Sequence, residues 1–424
     1  MTPEAIEVWI AEQDVDRRVG TLRPSFMRGR MLASSSFEYD DAWLRGGWAI
    51  SPDLPLERTR IYTAENQTLP GAFSDTVPDD WGQKLIRADH ARRRRQDDSL
   101  PPRLGEFDYL LGVADHTRVG AIRLRAAGSW LSDESGVANV HDLQRILDVT
   151  QRYDDDEASD DDIAYLNEVA TSPGGARPKA NVVLDDGSLA IAKLPHSKDG
   201  RFDVERWEAV ALTLAADSGL VTPRWSVEAS PSGRAVLLST RFDRDAAGRR
   251  FGYMSGRTAL RLGLHDDGST ETYEDFADAI AEWSAAPVVD LHEMFGRIAL
   301  TVLINNVDDH WRNHAFLHGA QGWRLSPVFD VNPSRQRGVI DSRAISDDDD
   351  PSDRRLEHLL QVASTFQLSD AAARRVIARV ARAVSNWEAV ATRLGLDERQ
   401  RAGYRGAFSS PQLAWARSLD TDLR

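Results

Sequence analysis

The sequence predicts an α+β protein of two lobes with a β-rich N-terminal subdomain, and three observations carry that expectation. Short alternating apolar stretches with turn punctuation fill the first ~125 residues. A small sheet with one helix is readable between residues 139 and 245. Beyond about residue 255, apolar residues recur at helical spacing. The expected organisation is 1–130, 139–245 and 246–424, in keeping with a length of 424 residues at about 150 residues per domain.

Taken in order, Ile6, Val8 and Ile10 alternate as a strand should, and Gly20-Thr21-Leu22 adds another. Asp79 or Asp80 suits the cap of a helix carrying Trp81, Leu85 and Ile86, which continues through Arg92 to Arg95. A strand at 119–124 closes this part, and 128–136 reads as a linker. Val140, Leu143, Ile146 and Leu147 predict a helix, and the acidic run 154–162 reads as a solvated loop. Strands at 180–184 and 188–194 flank an Asp-Asp-Gly turn, a hairpin signature. A helix over 205–216 buries Trp207, Val210, Ala211 and Leu214 and stops at Gly219; strands at 224–228 and 235–241 follow. Helices are expected at 272–283, 291–304, 356–368, 370–383 and 385–394, with one hairpin of 315–317 and 323–325 between them.

Composition excludes several classes. The chain has 52 Lys+Arg against 67 Asp+Glu, a net charge of −15, with 41% hydrophobic residues and no cysteine. The apolar fraction is ample for a core, and disulfides, thiolate metal sites and cysteine nucleophiles are ruled out. No run approaches the ~20 apolar residues that span a membrane, and the N-terminus lacks a signal-peptide pattern, so a soluble cytoplasmic protein without membrane contact is expected. The acidic balance argues against general nucleic-acid binding and fits basic partners.

Chemistry concentrates in Asn305-Asn306-Val307-Asp308-Asp309-His310-Trp311-Arg312-Asn313-His314, directly after an apolar helix. Asp308 and Asn313 are five residues apart, matching the Asp-to-Asn step of a kinase catalytic loop, in which Asp accepts the acceptor hydroxyl's proton and Asn holds Mg²⁺. A hairpin follows and ends at Asp330, where a kinase carries its metal-binding Asp. Mg²⁺ takes oxygen ligands and keeps waters, so one carboxylate, one amide and nucleotide phosphates suffice. Alone, the pattern reads equally well as ordinary caps and turns. Upstream, Thr171-Ser172-Pro173-Gly174-Gly175-Ala176-Arg177-Pro178-Lys179 precedes a strand, as a phosphate-covering loop would. Lys193 lies on the next strand, before a helix bearing Glu205 and Glu208. Glycine loop, strand Lys, helix Glu and Asp/Asn/Asp in this order point to ATP-dependent phosphoryl transfer.

These motifs resemble those of the HipA-like serine/threonine kinases, toxins of type II toxin–antitoxin systems. The resemblance covers nearly the whole chain. Val19-Gly20-Thr21-Leu22, Pro78-Asp79-Asp80-Trp81-Gly82 and Val119-Gly120-Ala121 are similar to the family's N-terminal subdomain. Residues 172–179 are similar to its S-x-x-G-x-Q-x-K loop, Lys193-Leu194-Pro195 to its K-L-P strand, and Arg241-Phe242-Asp243-Arg244 to its R-F-D-R hinge. Residues 308–313 resemble D-x-H-x-K-N and residues 325–331 resemble L-x-P-x-Y-D-V.

The resemblance implies a two-lobed protein-kinase-like fold with an all-helical C-terminal lobe. It makes Asp308 the catalytic base and Asn313 and Asp330 the Mg²⁺ ligands. Gly174, Gly175, Lys179, Lys193, Glu208, Thr240, Phe242 and His310 form the ATP-binding set, with Glu208 partnering Lys193 and backbone groups of Thr240 and Phe242 meeting adenine. Ser172 would be autophosphorylated, switching the kinase off. It further implies a protein Ser or Thr acceptor, a HipB-like DNA-binding antitoxin and operator DNA reached mainly through that antitoxin. Departures are Arg177 for Gln, Thr240 for Glu, Val307 for a small polar residue, Arg312 for Lys and Phe329 for Tyr; none removes the base or a metal ligand. A degenerate kinase serving as co-repressor, or a kinase with a non-protein acceptor, are the competing readings. The Arg92 to Arg95 run reads as a solvated helix face, and His310 with His314 lacks the Glu of H-E-x-x-H.

Overall fold

The computed structural model describes residues 4–12, 15–27, 31–132, 137–170, 175–230, 233–263, 266–335, 343–350 and 354–419. Packing divides the chain into two compact units. One comprises Met1–Lys198, Glu228–Met254 and Gly263–His265; the other comprises Asp199–Val227, Ser255–Leu262 and Asp266–Arg424.

In the first unit, a six-stranded antiparallel sheet runs in the order Ile61–Tyr62, Met31–Tyr39, Val15–Met27, Ile6–Glu12, Ile122–Ala126, Ser129–Trp130. Its strands are longer than the short ones expected: Val15–Met27 has 13 residues and bends through an irregularity between Ser25 and Phe26. Ile6, Val8 and Ile10 point inward with Val19, Leu22 and Phe37, each at most 1% exposed. The strand expected at 119–124 begins later, at Ile122, because Gly120 turns the chain at φ +75° against Tyr253.

A second core of the same unit lies under the hairpin Lys179–Val183 and Leu189–Lys193, with Ala235–Thr240 paired to the latter and Ala138–Asn139 running parallel to the former. The Asp-Asp-Gly turn forms as read, with Gly187 at φ +82°. The acidic run is not a loop throughout. Helix Leu143–Asp154 ends in it and helix Asp160–Ala170 begins in it, with Asp160, Asp161 and Asp162 forming the first turn, where carboxylates suit the helix dipole. Arg152 then holds Asp162 through Nε at 3.0 Å.

The second unit is helical apart from the expected hairpin, here Ala315–Gly319 with Gly322–Leu325. The turn is tighter than read: Gly319 pairs with Gly322, which adopts φ +99°. Helix Pro287–Leu303 packs against both Tyr273–Trp283 and Asp370–Val384. Thr272 caps Tyr273–Trp283, accepting from Asp275 N–H while the Asp275 carboxylate accepts from Thr272 N–H. The helix expected over 356–368 is shorter, Leu356–Gln361. The single-turn helix Gly256–Ala259 was not foreseen, nor were Glu398–Phe408 and Pro411–Ser418, which carry few apolar residues. Helix Val204–Asp217 joins this unit through Trp207, which stacks on Tyr404 at 4.0 Å beside a stacked Trp387–Phe408 pair. Among the described residues no helix is long and apolar enough to cross a membrane.

Candidate active site

The first unit presents the glycine loop and two lysines. Thr171, Ser172, Pro173 and Gly174 lie outside the described residues; Gly175 onward is described. Asp79 stands at the cap position of helix Asp80–Arg94, but its carboxylate does not cap that helix. It accepts the Gly175 N–H instead, at 2.7 Å. Trp81 donates its backbone N–H to Gly175 O at 3.4 Å and its indole N–H to Lys179 O at 3.1 Å. Gly175 adopts φ +96°, and a Cβ there would lie 2.5 Å from Lys179 Nζ, so the loop backbone passes directly over that ammonium. Lys179, 5% exposed, is the cross-strand partner of half-buried Lys193. Directly paired residues project from the same face, so two positive charges share it. Such a surface suits a multiply charged anion.

Thr240 ends its strand opposite Ala190, and half-buried Phe242 follows. The neighbouring charged side chains turn into the protein. Arg241 grips Asp243 through two bonds of 2.8 and 2.6 Å and also donates to Thr117 O and Asn181 Oδ1. Arg244 donates to Asp243 Oδ2 at 2.8 Å and to the carbonyls of Arg118 and Gly120. Gly120 N–H completes the set on Asp243 Oδ2 at 2.8 Å. Burial alone would raise the Asp243 pKa, but the charges of Arg241 and Arg244 and these hydrogen bonds hold it well below the carboxylate range. Burial brings Arg244 down to about 9 against the opposing pull of Asp243. The R-F-D-R segment thus fastens residues 117–120 to the second sheet, a role the motif alone did not reveal.

In the second unit, helix Pro287–Leu303 ends at Ile304, and Asn305 turns the chain at φ +53°. The two adjacent carboxylates then diverge. The Asp308 side chain is 68% exposed, with His310 Nε2 3.9 Å away. Its carbonyl accepts from Asn313 Nδ2 at 3.0 Å, which uses the amide nitrogen and leaves the amide oxygen to act as a ligand. Asp309 points inward, 6% exposed, accepting from the Tyr273 hydroxyl, with His314 Nε2 at 3.2 Å. Burial would raise the Asp309 pKa, yet the interaction with His314, the Tyr273 hydrogen bond and Arg354 bring it down to about 2. Burial and Asp309 push the Tyr273 phenol well up, keeping it a donor. Trp311 locks the next turn, packing 5.3 Å from Phe276 and donating its indole N–H to Gly268 O at 2.9 Å.

Asp330 follows the hairpin at φ +55°, a left-handed conformation that Asp tolerates better than most residues. Its approach is fixed: Arg297 donates to Ser326 O at 2.5 Å and Val328 N–H to Val221 O at 2.8 Å. Glu208 is buried on helix Val204–Asp217 of this unit, with Glu205 one turn before it. The structure therefore groups Gly175, Lys179 and Lys193 in one unit, and Asp308, His310 and Asn313 in the other, with Asp330 and Glu208 placed on their own elements there. Sequence reading did not assign Asp79 and Trp81 to the loop, nor Tyr273, Asp309 and His314 to the fixing of the turn. Asp79 carried a signal in being one of two carboxylates at a helix start that needs one cap.

Residues 7–125 match the HipA N-terminal domain and residues 171–387 match the HipA-like C-terminal domain. The chain superposes on a chain of the Shewanella oneidensis MR-1 complex of the toxin–antitoxin system HipA, HipB and its operator DNA, with TM-score 0.70, 18% identity and 99% of both chains covered. That likeness identifies the fold as the two-lobed kinase-like α+β type. The proinflammatory kinase CtkA of Helicobacter pylori aligns over 59% of this chain and 95% of its own, at 15% identity and TM-score 0.46. Among curated proteins, "Putative kinase Y4mE" of Sinorhizobium fredii is 28% identical over 186 residues, 38% of this chain; the matched part spans 41% of that relative's length. Carrying both domain types, one of them over half its length, the chain belongs to the HipA family.

Proposed function

We propose that the protein is an ATP- and Mg²⁺-dependent serine/threonine protein kinase, acting as the toxin of a type II toxin–antitoxin system and restrained by a HipB-like DNA-binding antitoxin. The observation that carries this reading is the division of labour at Asp308-Asp309: one carboxylate is held out in solvent while its neighbour is locked to Tyr273 beside His314. An exposed carboxylate on a rigid turn is what a base acting on an incoming hydroxyl requires.

In this reading Asp308 takes the proton of the acceptor hydroxyl, and Asn313 and Asp330 supply oxygen ligands. Lys193 and Lys179 receive the phosphates beneath the loop of Gly174 and Gly175, Glu208 orients Lys193, and His310 stands beside the base. The donors fit: the same-face lysines suit phosphates, and an amide oxygen with a carboxylate suits Mg²⁺. When bound, Mg²⁺ would neutralise charge developing on the transferred phosphoryl group. Thr240 and Phe242 offer backbone groups to the adenine. Phosphorylation of Ser172 would add about −1.5 to −2 charge to a loop meant to cover phosphates, and so oppose ATP binding. The antitoxin would carry the acidic complex to operator DNA.

The test is labelling with γ-radiolabelled ATP of wild type, Asp308→Ala and Asp330→Ala, followed by phosphoproteomics after brief expression. Label on Ser or Thr of a protein acceptor in wild type alone is expected. Folded wild type that takes and transfers no label would defeat the kinase reading in favour of a co-repressor; label on a small molecule would redirect the acceptor. A label on the protein itself that disappears in Ser172→Ala but persists in Thr171→Ala would place the autophosphorylation site.

A further inference from the structure

The Arg92 to Arg95 run divides in the structure. Arg92 and Arg93 both turn to buried Asp89 on their own helix, at 2.7 and 2.9 Å. Arg94 and Arg95 face the other way and, with Arg87, His90, Ala91, Asp98, Pro102, Arg103, Leu104 and Tyr109, line a cleft of about 550 Å³. Four arginines meet one aspartate there, a formal +3 from 4 − 1, in a chain whose net charge is −15. Arg95 is paired with Asp160, whereas Arg87, Arg94 and Arg103 have no carboxylate partner among the described residues. Arginines in a final helical turn complement the helix dipole, which accounts for Arg92 and Arg93. It does not account for Arg87, two turns earlier, or for Arg103, which lies outside that helix.

The walls are built. His90, 8% exposed, bonds through Nε2 to Pro101 O at 2.8 Å, tying the 101–104 segment to the helix. Arg94 uses Nε on Leu100 O at 3.4 Å. Arg87 donates to the Tyr109 hydroxyl at 3.3 Å with its guanidinium 5.9 Å from the ring. Guanidinium forks match phosphate oxygens, and Tyr109, Pro102 and Leu104 add an apolar side. The volume lies in the range of about 300–1,000 Å³ typical of small-ligand sites. A duplex backbone would instead call for an extended basic stripe, whereas these arginines gather around a single cleft in a strongly acidic protein.

We propose that this cleft binds a small phosphorylated ligand of the nucleoside di- or triphosphate class, at a site separate from the glycine loop and Lys193. The probes are guanosine diphosphate, inorganic pyrophosphate and guanosine, titrated calorimetrically into the full chain in EDTA, so that metal-dependent binding elsewhere is suppressed. Guanosine diphosphate should bind at one site, at least about tenfold weaker in Arg94→Ser/Arg103→Ser, with affinity partly kept in Arg94→Lys/Arg103→Lys and unchanged in Lys193→Ala. Guanosine should not bind, and pyrophosphate should bind more weakly than the nucleotide. The proposal is overturned if wild type does not bind guanosine diphosphate, if the serine variant binds it equally well, or if Lys193→Ala abolishes it. Pyrophosphate binding as tight as the nucleotide would overturn the nucleoside assignment. Loss of duplex DNA binding in the serine variant, with nucleotide affinity unchanged, would overturn the site in favour of a nucleic-acid contact. Circular dichroism of the variants, altered only at exposed arginines, checks folding.

Discussion

Carboxylates sit beside cations in two regions of this protein, and they are put to opposite uses. In the Arg241–Asp243–Arg244 cluster every charge is buried and Asp243 is surrounded by donors, so the group is structural cement. In the 308–314 turn one carboxylate is buried and fixes the backbone, while its neighbour, the proposed base, is left exposed. The difference teaches that charge density alone does not mark a reactive site. What marks it is a carboxylate whose neighbours have been satisfied without it.

The comparison can be broken in order of expected effect. Asp308→Ala should lower phosphoryl transfer by about 10²–10⁴-fold while changing unfolding stability by no more than about 0.5 kcal/mol, read from labelling rates and urea melts on the same preparation. A large stability loss would mean that Asp308 is also cement. Asp243→Ala leaves two buried guanidinium groups facing each other and should cost about 3–5 kcal/mol in urea unfolding; a cost under about 1 kcal/mol would remove the contrast.

Asp309→Asn tests the buried member of the pair. Its folded pKa, about 2, is below the ordinary value, so its contribution is present above about pH 4 and lost as pH falls toward 2. The variant should be about 2 kcal/mol less stable at neutral pH, with the gap closing over that acidic window; a gap that does not vary with pH would show that burial, not charge, dominates. Gly175→Ala forces a left-handed residue over Lys179 and should cost about 1 kcal/mol while weakening nucleotide binding several-fold, measured by melting and titration.

Much of this was legible in the chain. Period-2 and helical patterns placed the hairpin at Lys179–Val183 and Leu189–Lys193, helix Val204–Asp217 and the turn carrying Asp308 and Asn313, because local sequence dictates burial there. The acidic run misled because solvated charge and a helix's first turn share one composition; only the partner Arg152, on the preceding helix, decides between them. The R-F-D-R segment was recognised as a motif, yet its side chains answer to Thr117, Arg118 and Gly120, more than 120 residues away, and no spacing encodes such a contact. Asp79 escaped for the same reason: as a helix cap it had a sufficient local explanation, and its actual partner lies 96 residues on.

That last contact bears on modularity. The hydrogen bond from Gly175 to Asp79, with Trp81 bonded to the carbonyls of Gly175 and Lys179, means that the glycine loop is anchored by the segment that a domain boundary near residue 130 would cut away. A fragment beginning there would keep the residues named for catalysis and lose the tether that sets the height of the loop. The N-terminal segment is thus part of what holds the glycine loop in place, and on the proposed function it belongs to the nucleotide site as much as the lysines do.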